Sequence, residues 1–493
     1  MQSNTPQHTD KEIHAKLFSS SMFMLITRMS IKSLGLISTV ILARLLVPED
    51  FGLVAIAMAI YAFIELFGAF GLGTVLIQKQ EKSVDDYNTA WTFKVLFGLV
   101  TCIALIGLSW PAADFYDDQR LVPLVQTIGL LGLISGFANI GVIDFQKDLD
   151  FKKEFKFQLL PKIFSFTITI SLAFYLQSYW ALVLGTLSFQ LAIVALSYLM
   201  HPFRPRFSLV SFSSLFSFSK WLLLNNIVFF LNNKMTELLI GRLISARAIG
   251  LYSMANEIST LPTTELAAPI NRASFPVYSK FANKLEELKR AYLNTLAMTF
   301  SLTAAASVGI FIVADLFVIN VLGEKWIETI ELMQWVALSS IFLGLGTNNG
   351  YIYLACGKPK YSFFFGLTRA IIFLTALVYL VDIYGLLGAG YAMFFTAIIM
   401  LALTQTGILF FLKLNPFLIL KRIVRPSMGC LAMWSTNVYL LRPNLVEEGL
   451  FALFASVALG GVVYLVTILL LWRVFGHEED VENVIWKTIK NKF

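Results

Sequence analysis

The chain has 493 residues, of which 57% are hydrophobic and only 14% charged, with a formal net charge of +7. A soluble domain usually carries about 25% charged residues, so there are too few charges here to make the polar skin of a soluble protein. Apolar stretches of about 20 residues recur along the chain instead, the length of a helix crossing a ~30 Å hydrocarbon layer. Backbone groups must be satisfied inside lipid, which leaves helices or a closed barrel. The runs are too continuously apolar for barrel strands, which alternate over about 10 residues. An all-α integral membrane protein is therefore expected.

In chain order, the first 16 residues are polar and of mixed charge. The apolar segment from Leu17 is too long for a signal-peptide core and has no small-residue cleavage pattern, so it reads as a retained first span. About 14 candidate spans follow from apolar length, at 17–46, 50–76, 88–110, 121–145, 157–177, 179–200, 213–241, 249–275, 291–313, 327–355, 361–381, 386–412, 426–441 and 449–472. The shortest of them, 426–441, has the weakest claim to cross. Cys102, Cys356 and Cys430 all fall in or at the end of spans, so no disulfide framework, metal site or cofactor is expected.

The loops orient the spans. With both termini in the cytoplasm, about 24 Lys and Arg residues lie in the inner segments and about six in the outer ones. The inner groups include Lys147, Lys152, Lys153 and Lys156, then Lys280, Lys284, Lys289 and Arg290, then Lys413, Lys421, Arg422 and Arg425. That asymmetry is the positive-inside pattern. The connections are short; the longest inner one, Pro276–Ala291, has about 15 residues. They leave no room for an extramembrane catalytic domain. No G-x-x-x-x-G-K-[ST] phosphate cradle occurs, which argues against direct ATP drive.

An internal repeat divides the chain. ILARLLVPEDFGLVAIAMAI (41–60) aligns without a gap on LIGRLISARAIGLYSMANEI (239–258), at an offset of 198. Arg44 meets Arg242, Gly52 meets Gly250, and Leu53 meets Leu251. Six spans separate the copies, and an even number restores orientation, so the repeat is parallel. Two six-helix lobes are expected, 1–210 and 211–412, related by a parallel pseudo-two-fold across a central cavity, with 413–493 as a C-terminal span pair and cytoplasmic tail. Arg44 and Arg242 sit where the hairpin turns and read as structural, snorkelling groups.

Eight bases remain inside spans: Arg28, Lys32, Lys94, Lys162, Lys220, Lys234, Arg272 and Arg369. Acids at similar depth are Glu65, Glu237, Glu257 and Glu265. A charge at the bilayer centre costs about 2.5–3.5 kcal/mol on insertion scales, so these groups must pair, snorkel or line a wet cavity. Lys94, Lys162, Lys220 and Arg272 lie within about two turns of the cytoplasmic ends, where snorkelling and cavity lining are both open. Lys234 and Glu237 are three apart and can neutralise each other. Arg28 and Lys32 share one face of the first span, which has no acid, and Arg369 has none in its own helix. The seventh span carries Asn225, Asn226, Asn232, Asn233, Lys234, Thr236 and Glu237, a load unsuited to lipid. A positive cavity fits an anionic ligand, with phosphate the first candidate. Candidate ligand groups are therefore Arg28, Lys32, Arg369, Lys234, Lys220, Lys94 and Arg272 for an anion, and Asn226 and Asn233 for hydroxyls. Glu65, Glu237, Glu257 and Glu265 are candidate ion-coupling groups.

The stretch ILARLLVPEDFGLVAIAMAI, followed by FGAFGLGTVLIQKQ and the loop FQKDLDFKKEF, resembles the polysaccharide transporter family of the multidrug/oligosaccharidyl-lipid/polysaccharide exporter superfamily, of the colanic-acid and teichuronic-acid type. The resemblance covers roughly the first 410 residues and is strongest over 35–160. It implies a two-lobe bundle with alternating access, in a bacterial inner membrane. It implies a substrate of oligosaccharide joined through pyrophosphate to undecaprenol, with polysaccharide polymerase and chain-length machinery as partners and no nucleic acid. A cation-coupled multidrug antiporter of the same superfamily is the alternative, kept open by the acids. A membrane-embedded polymerase would show a sizeable outer catalytic loop, and none is present here.

Overall fold

Every expected span falls on helix where the structure, a computed structural model, describes it. The described residues are 10–68, 75–77, 83–148, 150–212, 219–444 and 449–475, with backbone alone at 10–26 and 219–223. No strand occurs among them. The first five helices are α1 (Asp10–Leu45), α2 (Pro48–Glu65), α3 (Val84–Tyr116), α4 (Leu121–Gly136) and the short α5 (Asp144–Lys147). They are followed by α6 (Phe151–Leu176), α7 (Trp180–Met200), α8 (Ser219–Asn233), α9 (Met235–Leu243) and α10 (Ala246–Ser259). After a π-helical turn come α11 (Ala268–Phe281), α12 (Leu285–Phe317), α13 (Thr329–Gly346) and α14 (Asn349–Ala355). The last four are α15 (Pro359–Tyr384), α16 (Leu387–Leu412), α17 (Pro416–Ser435) and α18 (Leu450–Phe475). Eight helices are long and apolar enough to cross a membrane, or nine if the pair Leu121–Gly136 and Ile140–Lys147, bent by 71°, is one span. The other expected spans are helices interrupted by breaks, shorter, or more polar.

Two expected loops are largely helix. The inner connection placed at Pro276–Ala291 shrinks to three residues, because α11 runs to Phe281 and α12 starts at Leu285. The thirteenth segment, expected from 426, starts at Pro416, where the Asn415 side chain accepts the Phe417 N–H at 2.9 Å. In both places basic residues read as loop sit on amphipathic helix instead.

The chain forms two compact units, Met1–Phe230 and Leu231–Phe493. In the first, α3 packs on α4, α6 on α7, α1 on α6, α2 on α4, and α4 on α7. In the second, α12 packs on α13, α15 on α16, α9 on α15, α10 on α13, and α13 on α16. The same pairs, counted by span, recur in the same order. The helix breaks recur too: α1 and α9 end at Leu45 and Leu243, and α2 and α10 begin at Pro48 and Ala246, each pair 198 residues apart. Both turns are locally capped. Asp50 accepts the Val47 N–H at 3.1 Å and, from across the unit, the Tyr179 N–H at 3.0 Å. Ser245 accepts the Ala248 N–H at 3.2 Å.

An ion pair then ties the second helix of each unit to the fourth, with its charges exchanged. Glu49, second in α2, meets Arg120, which caps α4, at 2.5 Å. Arg247, second in α10, meets Glu328, which caps α13, at 2.8 Å. Arg120 also hydrogen-bonds Asp118, and that contact holds the Asp118 carboxyl below its usual range.

Small residues set the α3–α4 spacing. A Cβ on Gly98 would lie 2.3 Å from the Gly132 carbonyl oxygen, and one on Gly136 would lie 2.7 Å from that of Lys94. Such close backbone approach is how membrane helices pack when lipid removes the hydrophobic drive. The last two helices pack on α12, and Arg442 forks onto Asp315 with two contacts of 2.7 Å.

The second unit is centred on Tyr278, Tyr292, Leu296, Phe300, Ile352 and Tyr353. Its polar heart is a closed ring. Tyr292 Oη donates to Asn349 Oδ1 (2.8 Å), Asn349 Nδ2 to Gln405 Oε1 (3.3 Å), and Gln405 Nε2 to Tyr292 Oη (2.9 Å). Each member satisfies the next, and together they join α12, α14 and α16. Tyr292→Phe strands one buried acceptor and one buried donor, each worth about 1–3 kcal/mol. The thermal midpoint of the purified protein should fall by several degrees. An unchanged midpoint would show that the ring carries no stability.

Candidate functional site

The seventh span breaks where its polar load is densest. Asn and neighbouring polar side chains compete with the helix for backbone hydrogen bonds. α8 stops at Asn233, and α9 restarts at Met235. Lys234 lies between them at φ −118° and ψ −26°. The Asn232 amide anchors the break by donating to the Gly366 carbonyl of α15 at 3.0 Å. Lys234 Nζ reaches forward to both Glu237 carboxylate oxygens, at 2.9 and 3.2 Å. Interrupted helix at membrane depth is tolerated only where protein buries it or water reaches it.

Opposite this break stand two further groups of the second unit. Tyr252 on α10 is 5% exposed, and its hydroxyl contacts Met393 Sδ on α16 at 3.3 Å. Thr236, Glu237 and Arg369 are all within its polar or electrostatic reach. Arg369, on α15, is half-buried. Apart from the Tyr252 ring system it has no interacting partner, and it makes no hydrogen bond or ion pair among the described residues.

The first unit holds a parallel arrangement. Tyr61 donates to Glu65 at 2.7 Å, one helical turn apart on α2, and Ser135 of α4 lies beside the same hydroxyl. Lys94 of α3 is within electrostatic reach of Glu65. It too makes no hydrogen bond or ion pair among the described residues. It sits at the tight α3–α4 contact, where its own carbonyl faces Gly136.

The remaining candidates divide differently. Arg28 and Lys32 are half-buried on α1, and each interacts with a neighbouring group. Lys162 lies over the Phe189 ring at 6.0 Å. Arg272 is exposed on α11, and the side chain of Lys220 lies outside the described residues. Asn226 is half-buried and Asn233 exposed, both with partners. Glu257 on α10 and Glu265 in the π-helical turn Pro262–Ala267 are half-buried and likewise partnered. Sequence reasoning missed Tyr61, Tyr252 and Met393. The four-residue spacing of Tyr61 and Glu65 could have signalled the first; nothing local signals the other two.

Chemically, each unit offers one base with unused N–H donors beside a carboxylate already held by another group. A guanidinium presents a planar fork, and an ammonium presents a compact charge; both suit phosphate oxygens.

Comparisons with known proteins agree with this picture. The family described as polysaccharide biosynthesis protein matches residues 41–331. The lipopolysaccharide biosynthesis protein WzxC of Escherichia coli (strain K12) is 26% identical over 374 residues, covering 74% of this chain and 75% of that one. The teichuronic acid biosynthesis protein TuaB of Bacillus subtilis (strain 168) is 23% identical over 462 residues, covering 92% and 95%. Among solved structures, the lipid II flippase MurJ in its inward closed conformation superposes with a TM-score of 0.75 at 16% identity, over 93% of this chain and 100% of that one. An inward-facing multidrug resistance MATE family transporter of the MOP superfamily gives 0.55 at 17% identity, over 79% and 99%. These likenesses establish a multi-pass membrane transporter fold.

Proposed function

Because this chain belongs to the polysaccharide biosynthesis protein family, we propose that it is a flippase for undecaprenyl-pyrophosphate-linked oligosaccharide repeat units. It moves them from the cytoplasmic to the periplasmic leaflet of the bacterial inner membrane by alternating access, for exopolysaccharide, capsule or O-antigen synthesis. The observation that carries this reading is the pair of bases at membrane depth, Lys94 and Arg369, with no hydrogen bond or ion pair among the described residues. Such a charge is costly unless an anion or water meets it, and the pyrophosphate of a lipid-linked sugar is such an anion. Arg28 and Lys32 extend the basic surface in the first span, and Asn226 and Asn233 serve the sugar hydroxyls. Glu65 and Glu237, each held by one hydrogen-bonding neighbour, are the coupling candidates, with Glu257 and Glu265 behind them.

The architecture proposed is fourteen spans with both termini cytoplasmic: a duplicated six-span lobe (1–210 and 211–412) and a terminal pair (413–493). The recurring helix contacts and the breaks at Leu45 and Leu243 support the duplication. The loop charges support the orientation.

The test is deletion of the gene in its host. Lipid-linked repeat units should accumulate in the inner leaflet while surface polymer disappears. If lipid-linked sugars still reach the periplasm and only drug sensitivity changes, the antiporter reading replaces this one.

A further inference from the structure

α17 opens unlike any other long helix of the second unit. Lys413, Lys421, Arg422 and Arg425 fall within 13 residues, and no acid occurs between Asp382 and Glu447. The first turns of this helix also carry unpacked apolar groups. Phe417 is 65% and Leu420 50% exposed, with Leu418 and Val424 beside them, while Ile419 turns inward at 8%. Phe417, Lys421 and Arg425 recur every four residues and so share a face. Lys413 and Lys421 are exposed, and Arg422 and Arg425 half-buried. Beyond Arg425 the chain is uncharged up to Arg442, through the rest of α17 and the π-helical turn Thr436–Leu441.

Basic groups interleaved with exposed apolar ones, followed by an uncharged helical run, are the signature of a segment at the headgroup level of a bilayer. Ten residues of helix span about 15 Å, enough to sit in that layer. Helix stability does not explain the placement, because cations near a helix start oppose its dipole. The partner that complements four bases and an aromatic wedge at this depth is an anionic phospholipid.

We propose that Lys413, Lys421, Arg422 and Arg425, with Phe417, Leu420 and Val424, form a docking surface for the anionic phospholipid headgroups of the leaflet in which α17 begins. This inference is independent of the transported substrate.

The test uses full-length protein in phosphatidylcholine vesicles. A fluorophore is attached at Val424→Cys after the native cysteines are replaced by serine, and it is quenched by headgroup-nitroxide phosphatidylglycerol or phosphatidylcholine. Phosphatidylglycerol should quench at about fivefold lower mole fraction, the order expected for even one base near a charged headgroup. Lys421→Gln with Arg422→Gln and Arg425→Gln should abolish the preference, whereas Lys421→Arg with Arg422→Lys and Arg425→Lys should keep it. If the glutamine triple variant does not fold, Lys413→Gln with Lys421→Gln, both exposed, takes its place. Equal quenching by the two lipids overturns the proposal. So does a preference that survives glutamine, or one lost equally with lysine and arginine exchanged. A preference erased by inorganic phosphate at constant ionic strength also overturns it, because that result assigns the bases to free phosphate.

Discussion

Arg369→Gln should cut polymer export by about a hundredfold at unchanged protein level. The substitution keeps most of the volume and removes the charge. A charge-assisted contact to phosphate is worth about 1.5–3 kcal/mol, which converts to one to two orders of magnitude. Because Arg369 makes no hydrogen bond or ion pair among the described residues, its loss strands no protein partner and should leave folding intact. Arg369→Lys keeps the charge but loses the fork, so it should fall between wild type and glutamine. Lys94→Gln tests the first unit in the same way, with a smaller expected loss. Surface polymer and inner-leaflet lipid-linked sugar, measured together, give the readout. Normal export from the combined Arg28→Gln, Lys32→Gln and Arg369→Gln variant would sink the assignment of these bases to pyrophosphate.

Gly98→Leu should prevent the first unit from assembling. The obstacle is a backbone carbonyl, that of Gly132, at 2.3 Å from the position of the new Cβ. A flexible side chain can yield; a carbonyl held in a helix cannot. Overpacking ordinarily costs about 1–3 kcal/mol, and forcing two backbones apart along the whole α3–α4 contact exceeds that range. The control lies on the same helix: a Cβ on Gly107 meets nothing within 4 Å. Gly107→Leu should therefore be tolerated and gain slightly, since leucine is the better helix former. Monodisperse yield by size exclusion and thermal midpoint in detergent measure both. A well-folded Gly98→Leu protein with a wild-type midpoint would refute the close-contact account.

The spans were legible because lipid imposes a simple demand, some 20 apolar residues in a row, and the chain meets it over and over. The duplication was legible from Arg44 and Arg242 and the glycines after them. Helix interruptions were not. The break at Lys234 depends on Asn232 finding Gly366, far along the chain, and α17 hides behind bases that read as a loop. The site was legible as a set of charges and illegible as a set of neighbours. Subtracting loops from spans isolated Lys94 and Arg369. That Arg369 faces Tyr252, while Lys234 is neutralised by Glu237, follows from packing between distant helices and from a three-residue spacing respectively.

The exchanged polarity of the Glu49–Arg120 and Arg247–Glu328 clamps bears on how a duplicated protein assembles during synthesis. Two near-copies of one helical set enter the same bilayer, and a helix of one can in principle settle against the counterpart meant for the other. Here that mistake sets Glu49 against Glu328 or Arg247 against Arg120, like against like. Exposed pairs add little to stability, about 0–1 kcal/mol each, so their value lies in discrimination. Each half carries a lock that the other half's key repels, and proofreading of this kind needs no chaperone and no extra residues.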